Sequence, residues 1–182
     1  MTTSEMCKNM IYHFQITSTE IKDFRLEVKL ARQHTFFDFH SIIQKSLGFE
    51  SHQLASFFIA NKRGFKEKEI SLLDMGINGA AFLIMQKTSL SELIQDRGQK
   101  LIYTFDFLND RSLIIELIDI NMEKNLSEPL VTLKQGETPK QVLGEEVDLL
   151  DQEYSEMKED KVLSYFGELE DYTEIFGEME DF

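Results

Sequence analysis

The stretch that most constrains the fold runs from His34 to Phe58, HTFFDFHSIIQKSLGFESHQLASFF. Phe36, Phe39, Ile42, Ile43 and Leu47 recur at helical spacing and line one side of a helix with a continuous apolar stripe. Thr35 offers an N-cap acceptor in front of that stripe. Gly48 stands where a helix stop needs a residue that tolerates a left-handed backbone. Leu54 to Ala60 is then short, apolar and rich in phenylalanine, the pattern of a buried strand.

Before this stretch lie two alternating segments. Met10, Tyr12, Phe14 and Ile16 alternate with more polar neighbours up to Thr17. Phe24, Leu26, Val28 and Leu30 alternate with Arg25, Glu27 and Lys29. With polar residues 18–23 between them, the two pair most simply as an antiparallel hairpin. After the stretch, Asn61 to Glu69 (NKRGFKEKE) reads as an exposed charged turn, Ile70 to Gly76 as one short helical turn, and Phe82 to Met85 as a short strand. Ser89 and Glu92 have capping-box spacing and start a brief helix. Two further strands follow, Leu101 to Phe107 and Leu113 to Ile120, joined by a turn at Leu108 to Arg111 in which Asn and Asp tolerate positive φ. The second is apolar on both faces apart from Glu116 and Asp119, which predicts a central strand covered on both sides. Leu130 to Leu133 makes a final short strand. Thr138, Pro139 and Gln141 then give another helix start, continued by a seam of Leu143, Val147, Leu150, Tyr154 and Met157.

Charge divides the chain at about residue 145. Of 33 acidic and 19 basic residues, 15 acids but only Lys158 and Lys161 fall in 145–182, a balance of −13 that leaves −1 for residues 1–144. Those ranges are the two expected domains: a globular body and an acidic-aromatic tail. A nearly neutral body argues against nucleic-acid binding, which needs clustered Lys and Arg. No apolar run reaches the roughly 18–20 residues of a membrane-spanning helix, and MTTSEMCKNM has no signal-peptide layout. A lone cysteine, Cys7, fits a reducing cytoplasm. Within the tail, Phe166-Gly-Glu-Leu-Glu-Asp-Tyr172 recurs as Phe176-Gly-Glu-Met-Glu-Asp-Phe182.

Several of these pieces together resemble the plasmid pRiA4b ORF-3-like family over Tyr12 to Val142. They are Tyr12-x-Phe14, Phe24-Arg25, Phe39-His40-x-Ile42-Ile43-Gln44, Gly48-Phe49, His52-x-Leu54-x-x-Phe57, Gly98, Tyr103-x-Phe105-Asp106-Phe107, and Gly136 with Pro139. The chain departs from the family at Leu108-Asn109-Asp110-Arg111, where Gly-Asp-x-Trp is usual, and it has no tryptophan. The resemblance implies an α+β domain with a mixed, mostly antiparallel sheet, β-grasp-like in its ββαβ opening. The acidic C-terminal segment is expected to be partly helical or disordered, either a solubilising end or a docking segment. The resemblance implies an association with mobile elements and no established reaction.

Candidate chemistry is sparse. His40, His52 and Asp106 form the one histidine–carboxylate set, able in principle to bind a metal or move a proton. The alternative is that both histidines fasten the helix to the sheet by bonding backbone carbonyls. Cys7 has no positioned base, and Gly76 to Ala81 lacks the Lys-Ser/Thr of a phosphate loop. Lys62, Arg63, Lys66 and Lys68 make a small basic loop, read as a solvated hairpin tip or a surface for the acidic tail. In the tail, Phe166, Tyr172, Phe176 and Phe182 interleave with carboxylates, a pattern suited to docking in a groove rimmed by Lys and Arg. The expected function is therefore a non-enzymatic cytoplasmic binding module whose tail meets a basic protein surface, with no cofactor, nucleic acid or membrane. A metal-binding protein or enzyme centred on His40, His52 and Asp106 is the alternative.

Overall fold

The computed structural model describes residues 10–50, 53–74, 83–122 and 126–142. The chain divides into two units, Met1–Gln141 and Val142–Phe182, and the architecture below is that of the first.

Alternation sets the strands. Met10–Ser18 (β1) buries Tyr12, Phe14 and Ile16, and Arg25–Ala31 (β2) buries Leu26, Val28 and Leu30. The pair is antiparallel, with Phe14 opposite Val28, as the sequence predicts. Phe36–Leu47 (α1) follows. Thr35 Oγ1 accepts from the Asp38 backbone N–H at 3.1 Å, and Thr35 N–H donates to Asp38 Oδ2 at 2.8 Å, a reciprocal cap. Gly48 ends the helix with φ +71°.

Six more strands complete the sheet: Ser56–Ala60 (β3), Lys66–Ser71 (β4), Leu83–Ile84 (β5), Lys100–Asp106 (β6), Arg111–Met122 (β7) and Leu130–Gln135 (β8). The order is β5-β4-β3-β6-β7-β1-β2-β8, and every pairing is antiparallel except β4 with β5. The described chain is thus α+β with a mixed, sheet-rich core. A one-turn helix, Leu90–Leu93 (α2), begins at Ser89, whose N–H and hydroxyl both donate to Glu92 Oε1 at 2.7 and 2.8 Å.

The helix stripe lies on phenylalanines of the sheet. The Phe39 ring stands 4.7 Å from Phe14 and 5.2 Å from Phe57, and Phe57 stands 4.8 Å from Tyr103. Leu113, Ile115 and Leu117 of β7 are buried on this same core.

Three expectations change. The charged run 61–69 is not all turn, because Lys66–Ser71 pairs with β3, and the helical turn expected from Ile70 is instead the end of that strand. Only Ile70 and Ser71 of β4 are buried, so its exposed half reads as loop. Second, β7 is central between β6 and β1, but among the described residues its side chains are buried on one face and only half-buried on the other. Ile114 on the other face is half-buried and meets Ile102, itself opposite Phe58, so these side chains shelter one another within the sheet. Third, residues 138–142 are not helical. The Gln141 side chain, expected to cap a helix, accepts from Glu50 N–H at 2.6 Å and donates to Glu50 O at 2.9 Å.

The helix seam from Leu143 onward, Cys7, residues 76–81, His52 and the tail aromatics Phe166, Tyr172, Phe176 and Phe182 lie outside the described residues. Among the described residues no helix is long and apolar enough to cross a membrane.

Candidate functional site

His40 and Gln44 stand one turn apart on the buried side of α1, and Tyr103 rises beneath them from β6. The Tyr103 hydroxyl accepts from Gln44 Nε2 at 2.7 Å and lies 2.8 Å from His40 Nδ1. His40 therefore fastens helix to sheet, through a side-chain hydroxyl where a backbone carbonyl was expected. The cluster is almost dry: His40 is 4% exposed, Gln44 6% and Tyr103 0%. Burial drives the His40 imidazole down to about 4, so the ring is neutral at neutral pH, and burial drives the Tyr103 phenol upward. Gln44 Oε1 is fully enclosed and has no hydrogen-bond partner. Above the cluster lies a cavity of about 340 Å³, lined by Phe37, His40, Ser41, Gln44, Lys45, Phe49 and Leu72.

A second polar cluster is built on Arg111 of β7. Its Nε and one terminal nitrogen donate to the two oxygens of Glu20, each at 2.8 Å. The terminal nitrogens also reach Lys140 O at 2.7 Å and Gln141 O at 3.1 Å, and the guanidinium carbon lies 5.0 Å from the centre of the Phe105 ring. Arg111 is 7% exposed. It thus holds residues 140–141 against the sheet, and that capture displaces the helix expected there. Nearby, Gly136 (φ +80°) runs so close to the preceding loop that a Cβ would meet Asp23 O at 2.2 Å, which explains a glycine at this position.

Asp106 lies apart from His40 in its bonding. Its carboxylate accepts from Asn109 Nδ2 at 2.8 Å and from the Leu108 and Asn109 N–H groups at 3.1 Å, closing the β6–β7 turn. The Asn109 side chain above all holds that carboxyl below its ordinary range. Among the described residues, no group of three or more His, Cys, Asp or Glu side chains is placed to hold a metal ion. In the basic loop, Lys66 donates to Asp110 at 3.0 Å and lies 4.8 Å from the centre of the Phe58 ring.

The sequence singled out His40 but assigned no role to Gln44, Tyr103 or Arg111. Gln44 carries a readable signal, a polar residue on the inner face of the helix at i+4 from His40. Tyr103 carries a weaker one, a hydroxyl on the apolar side of an alternating strand. Nothing local marks Arg111.

A family described as plasmid pRiA4b ORF-3-like protein matches residues 11–162, a span that runs from β1 into the acidic segment. No curated protein matches the chain. A crystal structure of a protein of unknown function from Methanosarcina mazei Go1 resembles it with a TM-score of 0.58 at 20% identity, over 71% of this chain and 71% of that one. At that identity the likeness is one of fold.

Proposed function

The chain belongs to the plasmid pRiA4b ORF-3-like family, and on that footing we propose that it is a non-enzymatic interaction protein whose acidic-aromatic segment, 145–182, docks on a basic surface of a partner protein. The observation that carries the reading is the charge partition, −13 in that segment against −1 in the remainder. Concentrated charge of one sign steers association, and rings placed among the carboxylates supply contact area once the surfaces meet. The twice-present Phe-Gly-Glu-Leu/Met-Glu-Asp-Tyr/Phe unit offers two linked docking copies, which bind together more tightly than one alone.

Finer readings belong to the same proposal. The opening order β1, β2, α1, β3 supports a β-grasp kinship. The 4-3-4-3 spacing from Leu143 to Met157 supports a helix leading into the acidic segment. A single cysteine supports a reducing, cytoplasmic setting.

The test compares the full chain with two full-length variants. One replaces Phe166, Tyr172, Phe176 and Phe182 by serine, and the other replaces the acids of 145–182 by their amides. Docking requires that a captured basic protein be lost with both variants, and that wild-type capture weaken as salt passes about 0.15 M, where screening acts within roughly 8 Å. Capture that survives the serine variant makes the segment a purely electrostatic brush. Capture unchanged by either variant removes the proposal.

A further inference from the structure

The cavity above α1 meets two nitrogens that bond to no described residue. One is His40 Nε2. Only Nδ1 of that ring has a partner among the described residues, the Tyr103 hydroxyl. Nε2 is not fully enclosed, unlike Gln44 Oε1, and the ring lines the cavity. The Gln44 amide fixes the chemistry of this nitrogen. As it stands, Gln44 Nε2 donates to the Tyr103 hydroxyl, and the enclosed, unpaired atom is an oxygen. Turned over, it would enclose an NH₂ with both protons unpaired, the costlier orphan. With Gln44 donating, the single phenolic proton goes to His40 Nδ1, and the imidazole proton sits on Nε2. An N–H donor therefore faces the cavity. The other nitrogen is the ammonium of Lys45, an exposed lining residue with no partner among the described residues.

Around these two donors the walls are apolar: Phe37, Phe49 and Leu72, each half-buried. The volume of about 340 Å³ lies within the roughly 300–1,000 Å³ of small-molecule sites. A cationic guest would meet the Lys45 ammonium. An apolar guest would leave both donors unused, and an uncharged polar one would leave the ammonium unpaired. A compact, wholly polar anion such as phosphate would lose its hydration against the rings and gain no apolar contact. We propose that this cavity binds a small aromatic monocarboxylate, its ring against Phe37, Phe49 and Leu72 and its carboxylate oxygens accepting from His40 Nε2–H and the Lys45 ammonium. Hydrogen bonds to a carboxylate are charge-assisted, and the flexible four-carbon stem of Lys45 lets the ammonium follow the guest. Because the buried imidazole is neutral, one positive charge faces one negative charge.

Benzoate is the probe, with benzamide, toluene and benzylamine as the uncharged, apolar and cationic comparisons, each added to the full-length chain. Binding is followed by saturation transfer to the ring protons and by the ¹⁵N shifts of the His40 imidazole. Benzoate is expected to bind in the millimolar range, as suits so small a ligand, and to move the His40 Nε2 signal. The three comparisons should each bind about fivefold more weakly or worse. Lys45→Gln, at an exposed position of α1, should weaken benzoate about fivefold at an unchanged melting temperature and leave benzamide unchanged. Three results each overturn the proposal. One is an absence of any His40 shift with benzoate at about 10 mM. Another is benzamide, toluene or benzylamine binding as tightly as benzoate. The third is benzoate binding to Lys45→Gln as tightly as to the wild-type chain.

Discussion

Two buried polar clusters are built against β6, one on Phe105 and one on Tyr103, and they differ in how fully they are satisfied. Arg111 donates to both oxygens of Glu20 and to two backbone carbonyls, with its face on an aromatic ring. His40, Tyr103 and Gln44 share hydrogen bonds among themselves and still leave Gln44 Oε1 without a donor. The contrast follows from charge. A guanidinium taken out of water must be surrounded by acceptors, and Arg111 makes four hydrogen bonds, with the Asp106 carboxylate at 3.7 Å besides. A neutral cluster can leave one atom unpaired for about 1–3 kcal/mol. The first cluster holds the chain together; the second leaves Gln44 Oε1 enclosed and unpaired.

Arg111→Met would break the comparison most severely. It leaves the Glu20 carboxylate and the carbonyls of Lys140 and Gln141 without their donor. Glu20 is 35% exposed at its side chain, so the loss should lie near the low end for a broken buried pair, about 3–4 kcal/mol by urea unfolding. A loss under about 1 kcal/mol would make Arg111 an ordinary surface cation.

Acid should find the other cluster. His40 titrates at about 4 in the fold against 6.5 when free, so on acidification the unfolded chain takes up this proton first. The stability from the neutral ring is complete above pH 6.5 and is lost as pH falls toward 4, on the order of 3 kcal/mol. The wild-type chain should therefore lose more stability than His40→Gln across that window. Parallel curves would mean that His40 is not held neutral by burial.

Tyr103→Phe removes the hydroxyl on which His40 and Gln44 both depend, and should cost about 1–3 kcal/mol. The smallest effect belongs to Gln44→Met. It gives up one good hydrogen bond but also removes the orphaned oxygen, so the net loss should stay below about 1 kcal/mol.

What was legible in the sequence was local. The stripe from Phe36 to Leu47, its cap at Thr35 and its stop at Gly48 are periodicity and turn chemistry within one element, and the structure places them as read. The β1–β2 hairpin was legible for the same reason. Where a distant partner decides, the sequence misled. Thr138, Pro139 and Gln141 have a helix-start pattern, but Arg111 and Glu50 capture that backbone and side chain from elsewhere in the fold. Lys66–Ser71 is a strand because β3 pairs with it, although its own side chains read as a solvated loop. The site was half legible. His40 stood out by type, whereas Tyr103, 63 positions along, becomes its partner only when β6 lies under α1.

The comparison is tested most directly by unfolding Arg111→Met and Gln44→Met side by side in urea at pH 7. Saturation at one cluster and a spare valence at the other predict a loss of about 3–4 kcal/mol for the first and under about 1 kcal/mol for the second. Equal losses, or a larger loss at Gln44, would contradict the claim that the His40 cluster holds an unused hydrogen-bonding position.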